Sequence, residues 1–174
     1  DVIIGNPPYQ LNDGGNGVSA KPLFHLFIKQ AKLLNPSYLT MIVPARWYAG
    51  GKGLDDFRNE MLNDKRIKIL VDYESSKDCF EGVNIAGGIC YFLWEKDYNG
   101  ECEIRNFNSG KIHVATRSLS QFPIFIRSNK SISIIKKVLS IAKDTWDNHN
   151  YPRNPFDFLT RDRGRKNPFN GSIK

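Results

Sequence analysis

The chain has 174 residues, 40% hydrophobic and 25% charged, a balance that suits a soluble globular domain with an appendage and excludes a low-complexity tract. No apolar run approaches the roughly 20 residues needed to cross a bilayer, and no basic-then-apolar start marks a signal peptide. The net charge of +7 sits in the last third: residues 1–120 hold 14 basic and 14 acidic side chains, and residues 121–174 hold 11 and 4.

Residues 1–5 (DVIIG) read as a short buried strand, broken by the prolines that follow at Pro7 and Pro8. Residues 10–20 are rich in Gly, Asn and Asp and read as a loop. An amphipathic helix opened by Pro22 is expected over 22–34, with Leu23, Phe27, Ala31 and Leu34 on one face and Phe24 and Ile28 beside them. The run at 39–44 has the continuous apolar character of a parallel strand covered on both sides. After a glycine loop at 50–53, a second helix is predicted over 54–63, with Asp55 and Asp56 suited to its N-terminal dipole. Strands follow at 67–72 and 85–95, and the helix-free link between them favours an antiparallel return. Two weaker strands at 102–107 and 111–116 and a helix over 132–142 complete the reading; from 147 the chain is rich in Asn, Pro and Arg and reads as loop.

Alternation of this kind points to an α/β sheet with parallel strands and one antiparallel strand. The first strand looks central although nothing precedes it, so the segment is expected to be part of a larger domain. Residues 1–96 form the expected catalytic portion, and residues 97–174 the connecting strands and a small basic extension. An unpaired edge at Asp1–Gly5 is expected to promote self-association.

Asn6, Pro7, Pro8 and Tyr9 follow the first strand, at the carboxyl end where open α/β sheets bind ligands. The prolines fix the backbone and remove two donors, leaving carbonyls as acceptors. The Asn6 side-chain oxygen beside the Pro7 carbonyl makes an acceptor pair suited to the two N–H groups of an exocyclic amine. Bonds to both draw the nitrogen toward tetrahedral geometry and free its lone pair. Tyr9 can stack on the base that carries the amine.

This stretch resembles the catalytic motif of amino-methyltransferases, in particular gamma-type adenine-N6 DNA methyltransferases of restriction–modification systems. The stretches 42–47 (IVPARW), 54–57 (LDDF) and 79–83 (CFEGV) resemble successive elements of that family, in order, so the likeness covers residues 1–96. It implies the second half of a Rossmann-like methyltransferase sheet. It also implies S-adenosylmethionine as methyl donor and double-stranded DNA with a flipped adenine as partner; three cysteines read as reduced thiols make a cytoplasmic location the expectation. Asn6 and the Pro7 carbonyl would bind the target amine, Tyr9 and Phe80 would pack on the flipped base, and Asn6 and Phe57 would touch the cofactor. The family's glycine loop for the cofactor and its acidic partner lie upstream of this motif and have no counterpart here; the 174 residues alone are expected to be inactive.

In the basic extension, Arg161, Arg163, Arg165 and Lys166 are candidates for gripping phosphates. His25, His113 and His149 share no ligand spacing, and Cys79, Cys90 and Cys102 read as reduced thiols, so no metal site is expected. The same motif chemistry serves enzymes that methylate RNA or protein glutamine, and a DNA-binding module without activity is a further alternative. The charged stretch after Trp94 favours DNA.

Overall fold

The computed structural model describes residues 1–11 and 20–144. The chain forms two compact units, residues 1–133 and residues 134–174. Arg161, Arg163, Arg165 and Lys166, and the loop reading from 147 onward, lie outside the described residues.

The first unit is built on a six-stranded sheet: β1 (Val2–Gly5), β2 (Tyr38–Pro44), β3 (Ile67–Tyr73), β4 (Ile89–Glu95), β5 (Cys102–Asn108) and β6 (Lys111–Arg117). Their spatial order is β1-β2-β4-β3-β5-β6. β1 pairs parallel to β2 and β3 parallel to β5, while β4 lies antiparallel between β2 and β3. The mixed sheet expected from the alternation is therefore present, with β4 antiparallel in its middle. β4 fits there because its apolar side chains are buried or half-buried on both faces. β6 runs antiparallel to β5 at the edge, so there are two antiparallel strands where one was expected, because the short turn between β5 and β6 leaves room only for a hairpin.

β4 begins four residues later than the sequence suggests. Gly87 and Gly88 adopt left-handed φ values of 86° and 78° and turn the chain before Ile89. A Cβ on Gly88 would stand 2.1 Å from the Tyr73 carbonyl oxygen, so the close approach of this turn to β3 requires glycine.

Helices α1 (Phe24–Leu33) and α2 (Asp55–Asn63) supply apolar side chains to the core. α1 starts two residues after Pro22, which instead pairs with Gln10 in an isolated bridge. Its buried stripe is Phe24, Ile28 and Ala31, whereas Phe27 and Leu34 are exposed. The expected face is thus rotated, because the aromatic packing of Phe24 on Phe57 sets which side turns inward. These side chains meet Leu39, Val43, Phe92, Trp94, Leu70 and Ile104 from the strands. By register, Val2 and Ile4 fall on the opposite face, where both are exposed. This is the edge from which self-association was expected.

Helix α3 (Ser131–Ile141) lies mostly in the second unit, and none of its residues is buried. Among the described residues no helix is long and apolar enough to cross a membrane.

One polar knot closes the core at the end of α2. Asp64 accepts hydrogen bonds from Arg66 Nε (2.7 Å) and Trp94 Nε1 (2.9 Å) and pairs with Lys32 Nζ at 2.9 Å. Burial pushes its carboxyl pKa up, but the Arg66 bond and the Lys32 charge outweigh this and hold it well below the usual carboxylate range. The folded value lies below the unfolded one, so the contribution is fully present above about pH 4 and fades as pH falls toward the folded value. Asp64→Asn should therefore lower stability by about 2 kcal/mol at pH 7 and by progressively less in acid. Urea denaturation at pH 7 and pH 3 checks this; an equal loss at both would contradict it.

Candidate active site

Three connections leave the same edge of the sheet, because β1, β2 and β3 share one direction. The first is Asn6–Gln10 after β1. The second is the 3-10 turn Ala45–Tyr48 after β2, and the third is the link from β3 to β4. They meet around a cleft of about 680 Å³, a size suited to a small ligand. Its walls are Asn6, Pro7, Pro8, Tyr9 and Gln10, then Pro44 and Arg46, then Phe80 and residues 83–86. The contiguous Asn6, Pro7, Pro8 and Tyr9 and the sequence-distant Phe80 thus line one space.

Each wall is held by local bonds. Pro7 is buried, and Asn6 and Pro8 are exposed. The Tyr9 carbonyl accepts from Leu23 N and the Lys21 carbonyl accepts from Leu11 N, both at 3.0 Å, so the chain returns beside the motif. Among the described residues, no donor engages the Asn6 side-chain oxygen or the Pro7 carbonyl. The Tyr9 ring is half-buried and its hydroxyl is enclosed without a hydrogen-bond partner. Burial raises its phenol pKa, helped by nearby Cys79 and Cys90, so the hydroxyl keeps its proton at neutral pH.

Phe80 is positioned by a serine that the sequence alone does not mark. Ser76 is 1% exposed; its hydroxyl donates to the Val83 carbonyl and accepts from Ile85 N, both at 2.8 Å. Its own carbonyl accepts from Phe80 N at 2.8 Å. These bonds clip the β3–β4 link into a compact loop that presents the Phe80 ring to the cleft. Arg46 likewise went unmarked, since only the fold brings the exit of β2 beside the exit of β1.

Phe57 is elsewhere. It is 1% exposed and packs edge-on to Phe24, His25 and Trp47 in the core, and it does not line the cleft. A hollow of about 300 Å³ beside Asp64 and Cys102 is smaller, and the Asp64 carboxylate in its wall is already committed to ion pairs. Among the described residues no three His, Cys, Asp or Glu side chains converge as a metal site would require.

The same stretch of chain is what the comparison with protein families selects. Residues 1–80 match the Eco57I restriction-modification methylase family. The chain belongs to this family, and the matched segment contains the Asn6–Tyr9 motif, Arg46 and Phe80. The chain is also 43% identical over 114 residues to a Mycoplasma pneumoniae protein named as an adenine-specific methylase. That match takes in 64% of this chain and 27% of the relative, so the chain spans about a quarter of the relative's length. Among solved structures, the methyltransferase subunit of a type I restriction-modification system from Streptococcus thermophilus is similar at a TM-score of 0.44 and 14% identity. The alignment covers 83% of this chain and 32% of that one. The type IIL restriction-modification enzyme MmeI, solved with DNA, is similar at a TM-score of 0.47 and 14% identity, covering 66% and 18%. Neither likeness bears on the side chains of the cleft.

Proposed function

We propose that the cleft receives an adenine flipped out of double-stranded DNA, and that the whole protein methylates its N6 in the cytoplasm. The observation that carries this reading is the pair of unengaged acceptors, the Asn6 amide oxygen and the Pro7 carbonyl, in one cleft with the Tyr9 and Phe80 rings. Both acceptors take N–H bonds from the amine, which removes its conjugation with the ring and localises the lone pair on nitrogen. Tyr9 and Phe80 hold the base by its faces, and extrusion brings the amine to the site, since it is unreachable inside the stack. S-adenosylmethionine supplies, when bound, a methyl group on a sulfonium. The Asn6 oxygen and the Pro7 carbonyl would hold the amine with its lone pair free to accept that methyl, and the surplus proton would pass to water through the open cleft.

The described cleft residues suit the base better than the methyl donor. Among the described residues no carboxylate lines the cleft, so the donor's ribose hydroxyls and ammonium group find no acidic partner among them. Phe57, the aromatic that the resemblance would give to the donor, is enclosed in the core.

The test supplies the protein at its natural length with radiolabelled S-adenosylmethionine and methylation-free genomic DNA, with RNA and glutamine-containing peptides as parallel substrates. Label should appear in N6-methyldeoxyadenosine from DNA. Tyr9→Ala should lower the rate by about tenfold to a hundredfold, since one stacked base contributes roughly 1–3 kcal/mol. Label confined to RNA or glutamine would overturn the reading.

A further inference from the structure

We infer that Arg46 binds a backbone phosphate of the nucleotide whose base enters beside Asn6; this rests on the reading above and assigns the cleft a second ligand group. Six arginines fall among the described residues, and five are engaged. Arg58 pairs with Asp55, Arg66 with Asp64, Arg105 with Glu103 and Arg127 with Asp72. Arg117 donates to Asn129 and to the Ile126 carbonyl. Arg46, half-buried in the cleft wall, has no hydrogen bond or ion pair to any described residue.

An unpaired, partly desolvated guanidinium is unfavourable unless a ligand completes it. The backbone beneath it is fixed. Ala45 N donates to the Gly88 carbonyl at 3.0 Å, Trp47 is fully buried with Nε1 3.4 Å from Cys90 Sγ, and Tyr48 is buried. The cation is therefore held at the cleft by a rigid turn rather than by a partner. Among the described residues no carboxylate lines the cleft to compete for it.

The ligand must be an anion, and the planar fork of arginine matches a phosphate or a carboxylate in two-pronged geometry. In a nucleic-acid strand the base and its phosphate are joined through one sugar. A base held by Asn6 and Tyr9 thus brings a phosphate to the cleft wall as part of the same ligand. A cleft of about 680 Å³ leaves room beyond the base for that sugar and phosphate. Such a contact carries no sequence information; it positions the extruded nucleotide.

The experiment uses the protein at its natural length and a short duplex containing a methylated site mapped with the wild type. DNA affinity at several salt concentrations, the KM for S-adenosylmethionine and the melting temperature are measured for wild type, Arg46→Gln and Arg46→Lys. The duplex is also made with neutral methylphosphonates replacing, one at a time, the phosphates flanking the target adenine. Arg46→Gln should weaken DNA binding by about tenfold at moderate salt and reduce the log–log salt slope by about 0.9. Its melting temperature and the KM for S-adenosylmethionine should not change, and Arg46→Lys should keep the slope. One methylphosphonate should weaken binding by the wild type and leave Arg46→Gln unaffected. Unchanged affinity and slope in Arg46→Gln would overturn the inference. So would a loss confined to the methyl donor's KM, which would make the anion the donor's carboxylate. In either case methylation by the wild type stands and the proposed function survives; if the wild type methylates no DNA, it is the function that fails.

Discussion

Asn6→Ala is expected to reduce methyl transfer at least about a hundredfold, the scale of losing one hydrogen-bonding group aimed at the reacting atom, while DNA affinity stays within about twofold. The Asn6 oxygen acts on the amine as its lone pair localises, so its effect appears in turnover rather than in binding. Phosphate contacts dominate affinity for duplex DNA, and Asn6 makes none in this reading. Stability should also hold, because Asn6 is exposed and its side chain makes no hydrogen bond to a described residue. Single-turnover rates at saturating DNA and donor, fluorescence anisotropy and a melting curve separate the three quantities. Near-normal turnover would remove Asn6 from the chemistry.

Arg127→Ala should produce the largest loss of stability. Asp72 is fully buried, and Arg127 meets it with two prongs, Nη2 at 2.7 Å and Nε at 2.9 Å. The same guanidinium donates to the Gly87 carbonyl at 2.7 Å and to the Tyr73 carbonyl at 3.0 Å. Removing it leaves Asp72 with the Asn106 amide, 2.8 Å away, as its remaining hydrogen-bond donor. A buried charge stripped of its counter-ion costs about 3–5 kcal/mol. Arg127→Lys should be intermediate, since an ammonium cannot reproduce the fork. Combining Arg127→Met with Asp72→Asn should recover part of the loss, because no uncompensated charge then remains. Urea midpoints for the three variants check the order; equal stability of Arg127→Ala and wild type would show that the pair contributes nothing.

The two sites differ in how far the sequence reveals them. Asn6, Pro7, Pro8 and Tyr9 are contiguous, and their chemistry is set by covalent neighbours: prolines that remove donors, an amide beside a carbonyl, an aromatic next in line. That local arrangement was readable without a fold. The Asp72–Arg127 pair was not, because its partners lie 55 positions apart and neither stands in a motif. Phe57 shows the reverse case: resemblance gave it to the cofactor, while Phe24, His25 and Trp47 enclose it. A buried aromatic and a ligand-stacking aromatic look alike in a sequence.

By itself, the sequence determined the elements and their kind. Apolar runs at 39–44 and 67–72, a long apolar run before Trp94 and helical periodicity after Pro22 report on short-range burial, which is written in spacing. The short link after Tyr73, which carries no α-helical periodicity, determined the antiparallel return as well. What the tertiary structure decided was adjacency. β4 inserts between β2 and β3, so that the exits of three parallel strands open on one side and Phe80 and Arg46 meet the Asn6–Tyr9 motif. It also decided which stripe of α1 faces inward and where Gly88 ends the β3–β4 link. These depend on contacts between residues tens of positions apart, made by packing and register rather than by any residue's immediate neighbours.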